Sequence, residues 1–128
     1  METKERICAD IQIDHEGEIP WGPPLFSLWI KGCKLEKRSF FKDFCISSDK
    51  NIIAISEYMY IDRATYFTQI FVFNIQKGQA THFKRIENNI VRPISFEGQQ
   101  LIYSYAKLPG LIQEAEINFN DLTGWIDL

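Results

Sequence analysis

The chain has 128 residues, 45% hydrophobic, 24% charged and 14% aromatic, with a formal net charge of −3. That length suits one domain with a core of its own, and that balance argues against a disordered chain. The acidic total also argues against DNA or RNA as the main partner, since nucleic-acid binding wants a broad basic face.

The charge is laid out unevenly. Residues 1–30 carry a balance of −4, residues 31–50 of +3, residues 51–107 of +2, and residues 108–128 of −4. The ends are acidic and the middle is basic.

The N-terminal stretch METKERICADIQID is charged throughout, which predicts no signal peptide and a cytoplasmic protein. Cys8, Cys33 and Cys45 form no CxxC, and an odd count fits a reducing compartment. The run Ile70 to Phe73 falls far short of the ~20 apolar residues of a membrane span.

Taken in chain order, short runs rich in Ile, Val, Phe, Tyr and Thr alternate with turn signals. A strand is predicted over 6–14, then a turn at HEG, 15–17. The segment IPWGPPLFSLW, 19–29, leads into a strand over 24–31. Trp21 there is either an interface anchor or, with Trp29, a seal on the end of a small core. After the turn at 31–32, residues 35–41 fit a strand. KLEKRSFFKDF, 34–44, is also the best candidate for a short helix, with Phe40 and Phe44 at i, i+4. Strands over 52–61, 66–75, 80–86, 90–96, 101–107 and 111–119 follow, set off by SSDKN, DRAT, QKGQ, ENN, EGQQ and LPG. Pro93 marks its run as an edge or a bulge. Many short strands with tight turns predict an all-β antiparallel meander, curled as a half-barrel or packed as a sandwich.

The stretch YFTQIFVFNI, 66–75, is apolar on both faces of a strand. Phe67, Phe71 and Phe73 alternate with Tyr66, Thr68, Ile70 and Val72. The phenylalanine face is the expected core face. The Tyr66 face is expected to be closed by residues 1–30 and 108–128, or left open for a partner.

Chemistry-bearing residues are sparse. His15, beside Asp14, Glu16 and Glu18, has the residue types of a divalent-metal site but no known ligand spacing, and reads equally as a solvated turn. His82 and Lys84 alternate onto one face and, with His15, have the types needed for phosphoryl chemistry. Cys8 and Cys45 each neighbour an isoleucine and read as small core residues before nucleophiles. No phosphate-binding, dinucleotide-binding or hydrolase motif occurs. No cofactor, metal or enzymatic activity is therefore expected.

The region FCISSDKNIIAISEYMYIDRATYFTQIFVFNIQKGQATHFKRIENNIVRPISFEGQQLIYSYAK, 44–107, resembles the small immunity proteins of bacterial polymorphic toxin systems, in particular those of contact-dependent growth inhibition. The resemblance rests on size, aromatic meander style, acidity and the lack of catalytic residues, and it covers about half the chain. It implies a single-domain, cytoplasmic, non-enzymatic protein that blocks the active site of a cognate toxin domain, often a basic nuclease, in a 1:1 heterodimer. The residues expected at such an interface are Asp10, Asp14, Glu16, Glu18, Trp21, Glu57, Tyr58, Tyr60, Asp62, Glu114, Glu116 and Asp121. Carboxylates would answer a basic cleft and aromatics would anchor it. Two other readings stand beside this one: a β-barrel binding a small ligand in an aromatic cavity, and a small phosphodiesterase-type enzyme using His82 and Lys84.

Overall fold

The structure, a computed structural model, describes residues 4–19, 22–108 and 110–128. Its regular elements are strands and one 3-10 turn. In chain order they are β1 (Glu5–Cys8), β2 (Ile11–Glu18), β3 (Pro24–Ile30), β4 (Cys33–Lys34), β5 (Ser39–Ile46) and β6 (Ile52–Asp62). β7 (Thr65–Asn74), β8 (Gln79–Glu87), β9 (Arg92–Glu97), β10 (Gln100–Leu108) and β11 (Leu111–Asn118) follow, then the turn Phe119–Asp121 and β12 (Ile126–Asp127). Among the described residues no helix is long and apolar enough to cross a membrane.

Two antiparallel sheets result. The larger runs β1-β2-β3-β5-β6-β7-β8-β12, with β4 hooked onto β3, and the smaller runs β11-β10-β9. The expected all-β architecture is the observed one. Chain neighbours pair almost throughout, as short connections dictate.

Local chemistry sets the turns. Lys31 and Gly32 both have positive φ (50° and 80°), as a two-residue turn with the twist of its flanking strands demands. In DRAT, Asp62 Oδ1 accepts the Ala64 N–H at 2.9 Å and closes the β6–β7 hairpin. In SSDKN, Asp49 Oδ1 accepts from the Ser47 hydroxyl (2.6 Å) and the Asn51 N–H (3.0 Å), fixing the β5–β6 connection.

Some boundaries differ from expectation. The 6–14 run breaks at Ala9–Asp10 into β1 and β2, and the HEG triplet lies inside β2, where a bulge between His15 and Gly17 absorbs it. No helix forms over 34–44. The segment ends β4, turns through Lys37 at φ 62°, and enters β5, because Phe40 and Phe41 are buried on successive, opposite faces. A helix would put adjacent residues about 100° apart, too close for Phe40 to enter the core on one face while Phe41 packs against Tyr58 on the other.

Both faces of the large sheet carry a core. One core joins Ile11, Ile13, Leu28 and Ile30 to Phe40, Ile53, Ile55, Phe71 and Phe73. The other joins Ile52, Ala54, Ile70 and Val72 to Val91, Leu101, Tyr103 and Leu122. β2 and β3 therefore cover the phenylalanine face of β7, and the small sheet with the C-terminal segment covers the other. Ile70 and Val72 are fully buried. The Tyr66 face is thus closed along this half of β7, but by residues 91–125 and not by residues 1–30.

Candidate functional site

Towards the β6–β7 turn the apolar layers give way to polar ones. Ser56 and Thr68, both fully buried, donate to the carbonyls of Val91 (2.6 Å) and Asn89 (2.7 Å), pinning the start of β9 to the large sheet. On the opposite face Glu57 Oε2 accepts from Arg38 Nη1 and Glu57 Oε1 from Gln69 Nε2, each at 2.8 Å. Gln69 Oε1 in turn accepts from Arg85 Nε (3.2 Å) and Nη2 (3.1 Å). Glu57 and Gln69 are only 3% and 2% exposed. A buried carboxylate is tolerable because both oxygens are partnered, one by a cation.

A bulge in β8 aligns the last member. Ile70 pairs with Phe83 but Thr68 pairs with Ile86, so one extra residue is inserted. That residue is Lys84, at φ 58°. Its ammonium sits 3.9 Å from the Tyr105 ring centroid, on the small-sheet side, while Arg85 turns to Gln69. The expectation that His82 and Lys84 share a face fails on this bulge. His82 stays with Arg38 and Arg85 and lines a polar groove of about 390 Å³ with Glu36, Lys37, Glu57, Met59 and Gln69.

At the tip of the same hairpin lies a second groove, of about 420 Å³. It is lined by Glu18, Ile19, Leu25, Tyr58, Tyr60, Asp62, Arg63, Thr65 and Tyr66. The Tyr58 and Tyr66 rings lie 5.6 Å apart, and Phe41 packs edge-on against Tyr58 at 5.7 Å. Burial, then Tyr60, pushes the Tyr58 hydroxyl above its ordinary range; burial, then Tyr58, does the same for Tyr66. Both phenols are therefore neutral donors at physiological pH. Tyr60 and Ile61 stand out at 64% and 52% exposure.

Four of the twelve expected interface residues meet in this groove: Glu18, Tyr58, Tyr60 and Asp62. Trp21 lies outside the described residues. Glu57 does not reach the surface; its carboxylate is taken up by Arg38 and Gln69. Asp10 is exposed in the β1–β2 turn, Asp14 is half-buried in β2, and Glu16 lies 3.9 Å from the Lys34 ammonium. Glu114 and Glu116 line a shallow surface on β11, in the other sheet, and Asp121 is exposed in the 3-10 turn. The N-terminal acids belong to the β2 end of the large sheet's strand order, while Asp127 sits on β12 at its far end. The acidic residues of the two ends thus lie on several elements: the β1–β2 turn, β2, β11, the 3-10 turn and β12.

Tyr66, expected to mark a strand face, and Arg85 were not among the residues expected at an interface. Tyr66 was legible as the opposite number of Tyr60 across a tight hairpin. Arg85 was not, since only the bulge brings it to Gln69. Among the described residues no group of three or more His, Cys, Asp and Glu side chains is placed to hold a metal ion. Burial pushes the Cys45 thiol up to about 12, which keeps it an un-ionised core residue. Comparison with protein-family models, with curated proteins and with solved structures returned no match.

Proposed function

We propose that this protein is a cytoplasmic immunity protein that neutralises a basic toxin domain, a nuclease by preference, through tight 1:1 occlusion. The observation that carries the reading is the hairpin-tip groove, where three tyrosines are flanked by the carboxylates of Glu18 and Asp62. Aromatic faces and carboxylates together favour a cationic side chain, which gains ring attraction and charge complementarity at once. Exposed Tyr60 and Ile61 supply the apolar anchor that a protein interface needs and a solvated hairpin tip does not. The rigid sheet beneath them lowers the ordering cost of binding.

The groove's open form suits an inserted segment of a partner. A ligand barrel needs a closed lumen, whereas this strand order runs open from β1 to β12 and its two cores are filled by side chains such as Phe40, Phe71 and Leu101. The test is direct. The toxin domain encoded beside this chain's gene is expressed with and without it, and growth and complex formation are measured. Protection with a 1:1 complex is the expected outcome; a toxin-expressing cell that the chain does not protect overturns the reading.

A further inference from the structure

The polar groove on the β8 side is unlike the hairpin tip, and it is not used by the proposed toxin contact. Its wall carries Lys37, Arg38, Arg85 and His82 against only two acids, Glu36 and Glu57. Glu57 is committed to Arg38 at 2.8 Å. Arg85 meets no carboxylate among the described residues; its Nε and Nη2 both donate to one neutral amide oxygen, Gln69 Oε1. A guanidinium has five N–H donors in a rigid fork, so Arg85 keeps donors for a further acceptor. The groove is thus locally cationic in a protein of net charge −3.

The positioning is built from inside the protein. Gln69 is 2% exposed, and its amide is oriented by the Glu57 carboxylate, so its oxygen can only accept. That oxygen holds the Arg85 fork, while Arg38, 4.8 Å above the Phe71 ring, is held by the other Glu57 oxygen. Two guanidiniums are thereby fixed by one buried carboxylate without being neutralised by it twice. A narrow cleft of about 80 Å³ continues from Arg38 and His82 along Ala80, Gly124 and Ile126. It is mostly apolar and leads away from the cations.

We propose that this groove is a binding site for a phosphate-type oxyanion, with Arg85 as its principal ligand, Arg38, Lys37 and His82 as supporting donors, and the apolar cleft taking the organic part of a phosphate monoester. Several cations around one open space match a tetrahedral dianion better than a flat carboxylate, which one fork satisfies.

The experiment is a titration of the ¹⁵N-labelled protein with inorganic phosphate and, separately, with the monophosphate ester of a small alcohol, isopropyl phosphate, whose alkyl group suits a cleft of about 80 Å³, followed by heteronuclear NMR and by calorimetry. Saturable shifts are expected around 36–38, 69 and 82–85. Arg85→Gln is expected to weaken binding of either probe by about tenfold or more, the loss of one charged hydrogen-bonded contact. Arg85 is solvent-exposed, so this variant keeps the fold, which an unchanged spectrum outside the groove verifies. Tighter binding of isopropyl phosphate assigns the cleft to an ester; equal binding assigns the site to the free anion, and either supports an oxyanion site. Absence of saturable shifts beyond the millimolar range, or binding that Arg85→Gln leaves unchanged, overturns it. Toxin protection is a separate readout, so failure here leaves the hairpin-tip interface untouched, and the reverse also holds.

Discussion

The Glu57 carboxylate shows how much one buried residue can organise. Replacing Glu57 by Ala leaves Gln69 without its acceptor and Arg38 without its counter-charge in a largely dry site. Breaking one side of a buried pair costs about 3–5 kcal/mol when both ends are buried. Arg38 is 27% exposed and can rehydrate, so the expected loss is about 2–3 kcal/mol, measured as a lowered urea midpoint with an unchanged slope. Lys84 carries the opposite expectation. Its φ of 58° is left-handed, a region where a side chain costs about 1 kcal/mol and glycine almost nothing. Lys84→Gly forfeits the ammonium contact with Tyr105, a half-exposed cation–π pair of about 0.5–1 kcal/mol. The two effects oppose, so thermal unfolding should shift little, whereas Lys84→Val, β-branched at the same φ, should lower the midpoint clearly.

At the scale of the element, β7 is the strand that decides the architecture. Its period-2 pattern made both apolar faces visible in the sequence, and two covers are what the structure supplies. What the pattern did not reveal is which segments provide them, because sheet packing joins residues far apart in the chain and leaves no local signature. Turns were legible where Asp, Asn or Gly chemistry fixes them, as in DRAT and SSDKN. They were misread where a bulge mimics a turn, as at His15–Gly17. The hairpin-tip groove was half legible: Glu18, Tyr58, Tyr60 and Asp62 were expected at an interface, whereas Leu25 and Tyr66 join them only through the pairing of strands and the curl of the sheet. Adjacent substitutions test the two-sided reading. Ile70→Ala and Phe71→Ala point to opposite faces, and both are expected to destabilise strongly, by about 2–5 and 3–5 kcal/mol. A strand with one wet face would make one of the two nearly neutral.

The cores also predict how the whole molecule responds to alkali. Burial lifts the Cys45 thiol from 9.0 to about 12, and burial, then Tyr105, lifts the Tyr103 hydroxyl above 10.0. Each folded group holds its proton more tightly than the unfolded chain does. The stability this contributes is full below the unfolded values, and it drains away as pH rises from about 9 toward 12. Each fully engaged group adds at most about 1.4 kcal/mol per pH unit to the decline. Denaturation midpoints should therefore fall steeply above pH 9, and Cys45→Ala should flatten that slope even if it lowers stability at pH 7. An unchanged slope would show that the thiol titrates as it does in water.

The charge layout makes a further prediction for the molecule as a partner. A basic domain approaching the hairpin tip would meet an exposed rim first, where the Glu18 side chain is 69% and Tyr60 64% exposed while Tyr58 and Tyr66 are set deeper, and of those two rim groups Glu18 carries the charge. Glu18 should then act on encounter, and Tyr60 on retention. Glu18→Lys is expected to slow association by about tenfold at low salt and to reduce its salt dependence, since steering charges are screened within about 8 Å at physiological ionic strength. Tyr60→Ala should leave association nearly unchanged and speed dissociation by about thirtyfold, the loss of an anchoring aromatic of about 2 kcal/mol. Surface plasmon resonance with the adjacent toxin domain, run between 50 mM and 300 mM salt (on the order of a halving of the screening length), separates the two effects. If both substitutions altered only dissociation, the acidic rim would be a solvated face that takes no part in capture, and the groove alone would carry recognition.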